Sequence, residues 1–149
     1  MKKFLGLIMS LLLVTSVVLV GCSSKEKKEE GKGFQYYTAD QVKESIEKKK
    51  DMILLDIQVE DEFNKHHIKG AVPTYAYPVK TDEDKKKLDK EIPNLEKSTA
   101  PIVIVCPGGA GGAEKTHAYL KEKGIKEDRI YILEKGQKAW PHKDLLETK

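Results

Sequence analysis

Three short apolar runs, separated by segments with helical signals, place the strongest constraint on how this chain folds. The runs cover residues 52–57, 101–105 and 129–133. Their apolar residues are mostly consecutive rather than alternating with polar ones, which is typical of strands buried on both faces. Buried strands that alternate with helices predict a three-layer α/β domain, with a parallel central sheet and helices on both of its faces.

The helical segments carry start and stop signals. Thr38 and Gln41 have the spacing of a capping box at the start of the first helix. Pro93 is expected to end or kink the third helix, and Gly124 is placed to terminate the fourth. The expected helices are 39–49, 60–66, 81–95, 114–123 and a short terminal helix at 143–148.

The first 21 residues have the pattern of a secretory signal peptide. Lys2 and Lys3 precede seventeen uncharged residues, 4–20, and a charged start followed by an apolar core is the mark of such a signal. The segment ends in Leu19-Val20-Gly21-Cys22, which resembles the lipobox of bacterial lipoproteins. That resemblance implies removal of residues 1–21 and lipidation of Cys22.

Residues 22–33 contain little that a core could bury, so we expect a disordered tether there and a folded domain over 34–149. The protein is then an extracytoplasmic lipoprotein anchored to the cell membrane or to an outer membrane, depending on the envelope. An uncleaved anchor helix is the alternative for the apolar segment. It leaves the domain on the same side of the membrane.

The charge balance excludes nucleic acid as a partner. The chain has 27 Lys+Arg and 24 Asp+Glu, a net charge of +3, and the basic residues are spread along it. The four histidines have no spacing typical of a zinc site, so we expect neither a metal nor a cofactor. Arg129 is the only arginine, and any site that needs a guanidinium has this one candidate.

Cys106 lies where an α/β domain of this kind binds its ligands, at the carboxyl end of a core strand. Four glycines within 108–112 follow it. Successive amides of such a turn can form an anion-binding nest, to which the next helix adds its positive end. A thiol in that field is expected to favour its reactive thiolate form. The alternative is a small, inert, buried cysteine.

Five motifs follow one another along the chain: LDIQ at 55–58, EF at 62–63, HIKGA at 67–71, Cys106 with its glycine-rich loop, and LEKG at 133–136 with Trp140. Their order resembles that of rhodanese-like domains, and the resemblance extends from about Phe34 to His142. The resemblance implies that Cys106 carries sulfane sulfur as a persulfide, taken from a small sulfur compound and passed to a thiol acceptor. It also implies that Asp56 binds nearby backbone.

The same resemblance assigns the binding of this sulfur to the loop backbone, namely to Gly108, Gly109, Ala110, Gly111 and Gly112. Two of these positions, Gly111 and Gly112, hold glycine where the family often has Arg and Ser, and Gln58 replaces a further Arg. A neutral loop of this kind is expected to favour less charged donors, or to borrow its positive charge from a lysine such as Lys115 or Lys138. The alternative function is a non-catalytic binding or redox-sensing module, whereas phosphoryl transfer is disfavoured because residues 107–113 include no arginine.

Overall fold

The computed structural model describes residues 33–149, so the expected signal peptide, Cys22 and nearly all of the expected tether lie outside the described residues. The described strands are β1 Gln35–Tyr37, β2 Ile53–Asp56, β3 His67–Ile68, β4 Val72–Pro73, β5 Ile102–Val105, β6 Ile130–Leu133 and β7 Leu146–Glu147. The described α-helices are α1 Ala39–Glu47, α2 Glu60–Lys65, α3 Asp82–Asp89, α4 Ile92–Lys97 and α5 Gly112–Glu122.

Five parallel strands form the central sheet, in the order β1-β6-β5-β2-β4. The three strands expected from the apolar runs are the three in the middle, β6, β5 and β2. Strand β5 lies between the other two, with Ile104 level with both Leu55 and Ile132. A second, two-stranded sheet pairs β3 with β7 in antiparallel orientation.

Side chains of β5 point alternately to the two faces of the sheet and supply two separate cores. Ile102 and Ile104 pack in a core with residues of α3, α4 and α5, such as Leu120. Val103 and Val105 pack in a second core with Val42 of α1 and with Trp140. The domain therefore has helices on both faces of a parallel sheet, as the alternation of strands and helices predicts.

The main differences from the expectation concern β1, the segment 81–95, the start of α5 and the C-terminal segment. Strand β1 carries no apolar run, and it exists because it pairs with β6 along the sheet edge. The expected helix 81–95 is two helices, and Pro93 lies in the first turn of α4, where its missing N–H costs nothing. Helix α5 begins at Gly112, two residues before the expected start. The expected terminal helix 143–148 is a 3₁₀ turn followed by β7.

Within residues 33–149, no helix has both the length and the apolar character needed to cross a membrane.

Candidate active site

The loop between β5 and α5 holds Cys106 and four of the five residues expected to surround its sulfur, and the fifth, Gly112, begins α5. Cys106 follows directly after β5, at the carboxyl edge of the sheet and between two neighbouring strands. Gly108, Ala110 and Gly111 are exposed, whereas Gly112 is buried as the first residue of α5. The loop thus lies between the end of the central strand and the positive end of a helix, as the sequence indicates.

The sulfur of Cys106 lies beneath this loop, and the residue is only 1% exposed. The amide of Gly109 donates a hydrogen bond to Sγ at 3.0 Å. Sγ in turn lies 3.6 Å from the carbonyl oxygen of Ala110, to which a protonated thiol donates. Among the described residues, Gly109 is the one whose backbone N–H hydrogen-bonds the sulfur. Of the five residues expected to bind the sulfur through their amides, Gly109 alone does so; Ala110 contacts Sγ through its carbonyl, and Gly108, Gly111 and Gly112 make no hydrogen bond to it.

A second loop, at residues 135–138, holds the Cys106 loop in place. Its amides at Gln137 and Lys138 donate to the carbonyls of Cys106 and Pro107, at 2.8 and 3.1 Å. The motif at 133–136 identifies this segment in the sequence but gives no sign of these contacts. The hydrogen-bonded residues of the two loops are 31 positions apart in the chain, and they meet because β5 and β6 are neighbours in the sheet.

The close approach of these two loops requires glycine on both sides. Gly109 has a φ of +74°, and a Cβ there would lie 2.6 Å from the backbone nitrogen of Lys135. Gly136 has a φ of +64°, and a Cβ there would overlap the carbonyl oxygen of Cys106. Both positions combine a left-handed backbone with no room for a side chain, which glycine alone tolerates.

A cleft of about 310 Å³ opens beside Pro107, the residue that follows Cys106, and Cys106 itself is not among the residues that line it. Its lining combines apolar, amide, acidic and basic side chains: Gln58, Val59, Glu62, His66, Tyr77, Pro107, Gln137 and Lys138. Of the two lysines considered above, Lys138 lines this cleft, whereas Lys115 lines a different groove beside Tyr119. The lining of this cleft is thus of mixed apolar and polar character and carries charges of both signs.

Asp56 and Gln58 form a buried pair at the end of β2. The Gln58 backbone N–H donates to Oδ1 of Asp56 at 2.8 Å, and its side-chain Nε2 donates to Oδ2 at 3.1 Å. Burial raises the pKa of Asp56 to about 6, although these two hydrogen bonds and the nearby His67 act in the opposite direction. Asp56 therefore binds nearby backbone, as the resemblance implies. Its second partner is the uncharged side-chain amide of Gln58, at the position where the family often has an arginine.

The single arginine lies far from the sulfur, because it is at the amino ends of the parallel strands and Cys106 is at their carboxyl ends. Arg129 precedes β6, and its guanidinium donates to the carbonyl oxygens of Leu95 and Ala100 at 3.0 to 3.2 Å. These carbonyls lie in α4 and in the segment that leads into β5. Arg129 thus joins two parts of the fold and supplies no positive charge to the Cys106 loop.

The histidines do not converge on a metal site. His67 stacks on Phe63, with ring centroids 3.8 Å apart, and its Nδ1 donates to the Phe63 carbonyl oxygen at 2.9 Å. His66 lines the cleft. In the part of the chain that the structure describes, no cluster of three or more histidine, cysteine or acidic residues could hold a metal ion.

Comparison with known proteins gives a consistent family match. Residues 38–143 match the family model of the rhodanese-like domain. Thiosulfate sulfurtransferase GlpE of Coxiella burnetii is 28% identical over 93 residues, which cover 62% of this chain and 75% of that protein. The described fold superposes on the rhodanese-like domain of the Anabaena protein Alr3790 with a TM-score of 0.59 and 22% identity, covering 76% and 79% of the two chains.

The same fold also occurs in a protein named for a different reaction. The As-Sb reductase of Leishmania major superposes with a TM-score of 0.58 and 18% identity, covering 78% of this chain and 86% of that one. At such identities the likeness establishes the fold alone, so the chemistry must be argued from the residues around Cys106.

Proposed function

Because the chain belongs to the rhodanese-like domain family, we propose that it is a sulfurtransferase that carries sulfane sulfur as a persulfide on Cys106. The observation that supports this most directly is the position of the sulfur. It lies at the carboxyl edge of the central strand, with the Gly109 amide donating to it at 3.0 Å. A backbone N–H aimed at a sulfur stabilises negative charge on that atom.

The reaction requires two displacements and no net oxidation. In the first, the Cys106 thiolate attacks the sulfane sulfur of a donor. A new S–S bond forms, the donor's bond to that sulfur breaks, and the leaving group departs with the electron pair. In the second, an acceptor thiolate attacks the outer sulfur of the persulfide. Cys106 leaves as the thiolate, and the acceptor departs as a persulfide.

The two cysteines of the chain allow a matched test. The full chain, purified in detergent, is incubated with a panel of sulfane-sulfur donors, washed and weighed intact. The proposal expects a gain of one sulfur atom that Cys106→Ser abolishes and Cys22→Ser leaves in place. No gain with any donor, or a gain that persists in Cys106→Ser, would overturn it.

One observation favours a second candidate, a binding or redox-sensing module. The thiol is only 1% exposed and contacts the Ala110 carbonyl, and buried cysteines are commonly unreactive. This candidate expects no transferable sulfur on Cys106. It expects either an inert thiol or, for a redox sensor, a sulfenate or mixed disulfide after oxidation. The intact mass distinguishes these products from a persulfide.

We also propose that this chemistry takes place outside the cytoplasm, with the domain held at a membrane by lipid on Cys22. The support is the sequence of residues 2–22, with its basic start, apolar core and terminal cysteine. In cells, Cys22→Ser is expected to remove lipid from the protein and to shift it out of the membrane fraction. Membrane recovery of this variant equal to that of the wild type would contradict lipid anchoring.

A further inference from the structure

The charge of the cleft beside Cys106 does not suit an inorganic dianion. Lys138 and Glu62 both line it, so a positive and a negative group face the same space. Glu62 is half exposed and forms an ion pair with Lys65 at 3.0 Å. Its pKa is lowered, first by the hydrogen bond from Lys65 and to a smaller degree by the charge of Lys138. A carboxylate held in its charged form repels a dianion and attracts an ammonium group.

The size and the rim of the cleft favour an organic molecule. Its volume of about 310 Å³ is on the order of ten times the volume that one water occupies in the liquid. Two apolar side chains at its rim, Val59 and Tyr77, are 40% and 37% exposed. An inorganic ion would leave most of this space and apolar surface unused, whereas a small organic ligand can cover both.

Gln137 supplies an independent sign of a missing ligand. The residue lines the cleft and is only 3% exposed. Neither Nε2 nor Oε1 of its side chain has a hydrogen-bond partner among the described residues. A buried amide without partners is costly and calls for an explanation, such as a ligand that satisfies it. Its backbone N–H already binds the Cys106 carbonyl, which places the residue directly beside the reactive cysteine.

We infer that the sulfur donor of this protein is a small organic persulfide that bears both a carboxylate and an ammonium group, rather than an inorganic dianion such as thiosulfate. Lys138 faces the carboxylate, Glu62 faces the ammonium group, and the amide of Gln137 hydrogen-bonds the polar part of the donor. The inference rests on the proposed function, because it names the donor for the same Cys106.

The transfer balances without an added oxidant or reductant. The Cys106 thiolate attacks the outer sulfur of the donor, R–S–SH. The bond from Sγ to that sulfur forms as the donor's S–S bond breaks. The donor leaves as the thiolate R–S⁻ with the electron pair of the broken bond, and the transferred sulfur keeps its proton. The product is the Cys106 persulfide, and the departing thiolate is itself a stable small molecule.

The test compares initial rates of loading of Cys106, followed by intact mass, on the full chain with the Cys22→Ser substitution. The three donors are cysteine persulfide, an uncharged hydroxyalkyl persulfide and thiosulfate. The neutral persulfide controls for the general reactivity of persulfides with thiols. The inference expects cysteine persulfide to load at least roughly tenfold faster than either of the others.

Two variants connect that preference to the cleft. Gln137→Leu, which keeps the size and removes the amide, is expected to slow loading by cysteine persulfide by roughly tenfold. The same change is expected to raise the Tm, because it removes a buried unpartnered group. Lys138→Gln is expected to slow the zwitterionic donor and not the neutral one. Lys97→Gln, an exposed lysine of α4 outside the cleft, is the matched control with no effect.

The outcomes separate this inference from the proposed function. Loading by thiosulfate as fast as by cysteine persulfide would overturn the inference and leave Cys106 as a sulfur carrier. Equal rates for the neutral and the zwitterionic persulfide, or unchanged rates in both variants, would also overturn it. Loading by none of the donors would overturn both.

Discussion

Replacing Asp56 by Asn should remove a pH-dependent cost to folding that comes from a buried carboxyl group. Asp56 is 1% exposed, and its carboxylate accepts two hydrogen bonds from Gln58, at 2.8 and 3.1 Å. Asn keeps the shape. Its oxygen accepts from the same backbone N–H, and after rotation of the Gln58 amide its NH₂ donates to Oε1. The pair keeps both hydrogen bonds and loses the charge.

The magnitude follows from the pKa of Asp56, which burial raises from 3.8 to about 6 in the folded protein. Because the folded state holds this proton more tightly than the unfolded state, the free energy of unfolding of the wild type falls as pH rises through this interval. At about 1.36 kcal/mol per unit, the loss amounts to roughly 3 kcal/mol. The cost is absent below the unfolded-state pKa of 3.8 and is complete once the pH has risen through the folded-state pKa of about 6.

The assay is denaturant unfolding of the wild type and Asp56→Asn at a series of pH values. The stability of the variant relative to the wild type should rise by roughly 3 kcal/mol between about pH 3.5 and about pH 7.5. Asp84→Asn is a control of opposite sign. The backbone amide of Lys80 and, more weakly, that of Thr81 lower the pKa of Asp84, so this variant loses stability relative to the wild type as pH rises. A flat difference for Asp56→Asn would refute the reasoning.

Three further predictions follow from other contacts of the domain. Gly136→Ala should destabilise by about 3 kcal/mol or more, because its Cβ overlaps the Cys106 carbonyl, whereas Gly33→Ala, with a similar φ and open space, should cost about 1 kcal/mol. Equal losses of unfolding free energy in the two variants, measured by urea unfolding, would contradict the expected clash between the Cβ added at position 136 and the Cys106 carbonyl. Arg129→Lys should lower the free energy of unfolding by about 1 to 2 kcal/mol, because it loses hydrogen bonds to the Leu95 and Ala100 carbonyls, and it should leave the rate of sulfur loading onto Cys106 unchanged. Slower sulfur loading at unchanged stability would contradict a purely structural role for Arg129. Gln58→Arg should lower the pKa of Asp56 and speed loading by thiosulfate, because it adds a cation to the cleft; an unchanged thiosulfate rate in the mass assay would count against the electrostatic argument.

Local sequence patterns were sufficient where a strand or helix is buried enough to need a continuous apolar signal. The three core strands lie within two residues of the predicted runs, and Thr38 begins α1 with the predicted capping box. Strand β1 and strand β7 were not predicted. They are two or three residues long and mostly exposed, so they exist through pairing with distant strands rather than through their own pattern.

The helix over 81–95 shows a different limit. Leu88, Ile92 and Leu95 have the i, i+4, i+7 spacing of one helical face, and all three are buried in one core. Such periodicity cannot reveal a break between two helices that keep the same buried side. The expectation that Pro93 ends or kinks the helix is wrong, because the break falls at residues 90–91, before the proline. Whether it ends one helix or begins the next depends on how the chain turns before it, and here it lies in the first turn of α4.

By itself the sequence determined the layered α/β fold and the position of Cys106 at the end of the central strand, because both follow from hydrophobic runs and the glycines beside them. Tertiary structure decided the environment of the sulfur. Residues 135–138 pack against the Cys106 loop, Gly109 is the residue whose amide turns toward Sγ, and Glu62 and Lys138 enter one cleft. Glu62, the Cys106 loop and residues 135–138 are far apart in the chain, and the pairing of strands in the sheet brings them together.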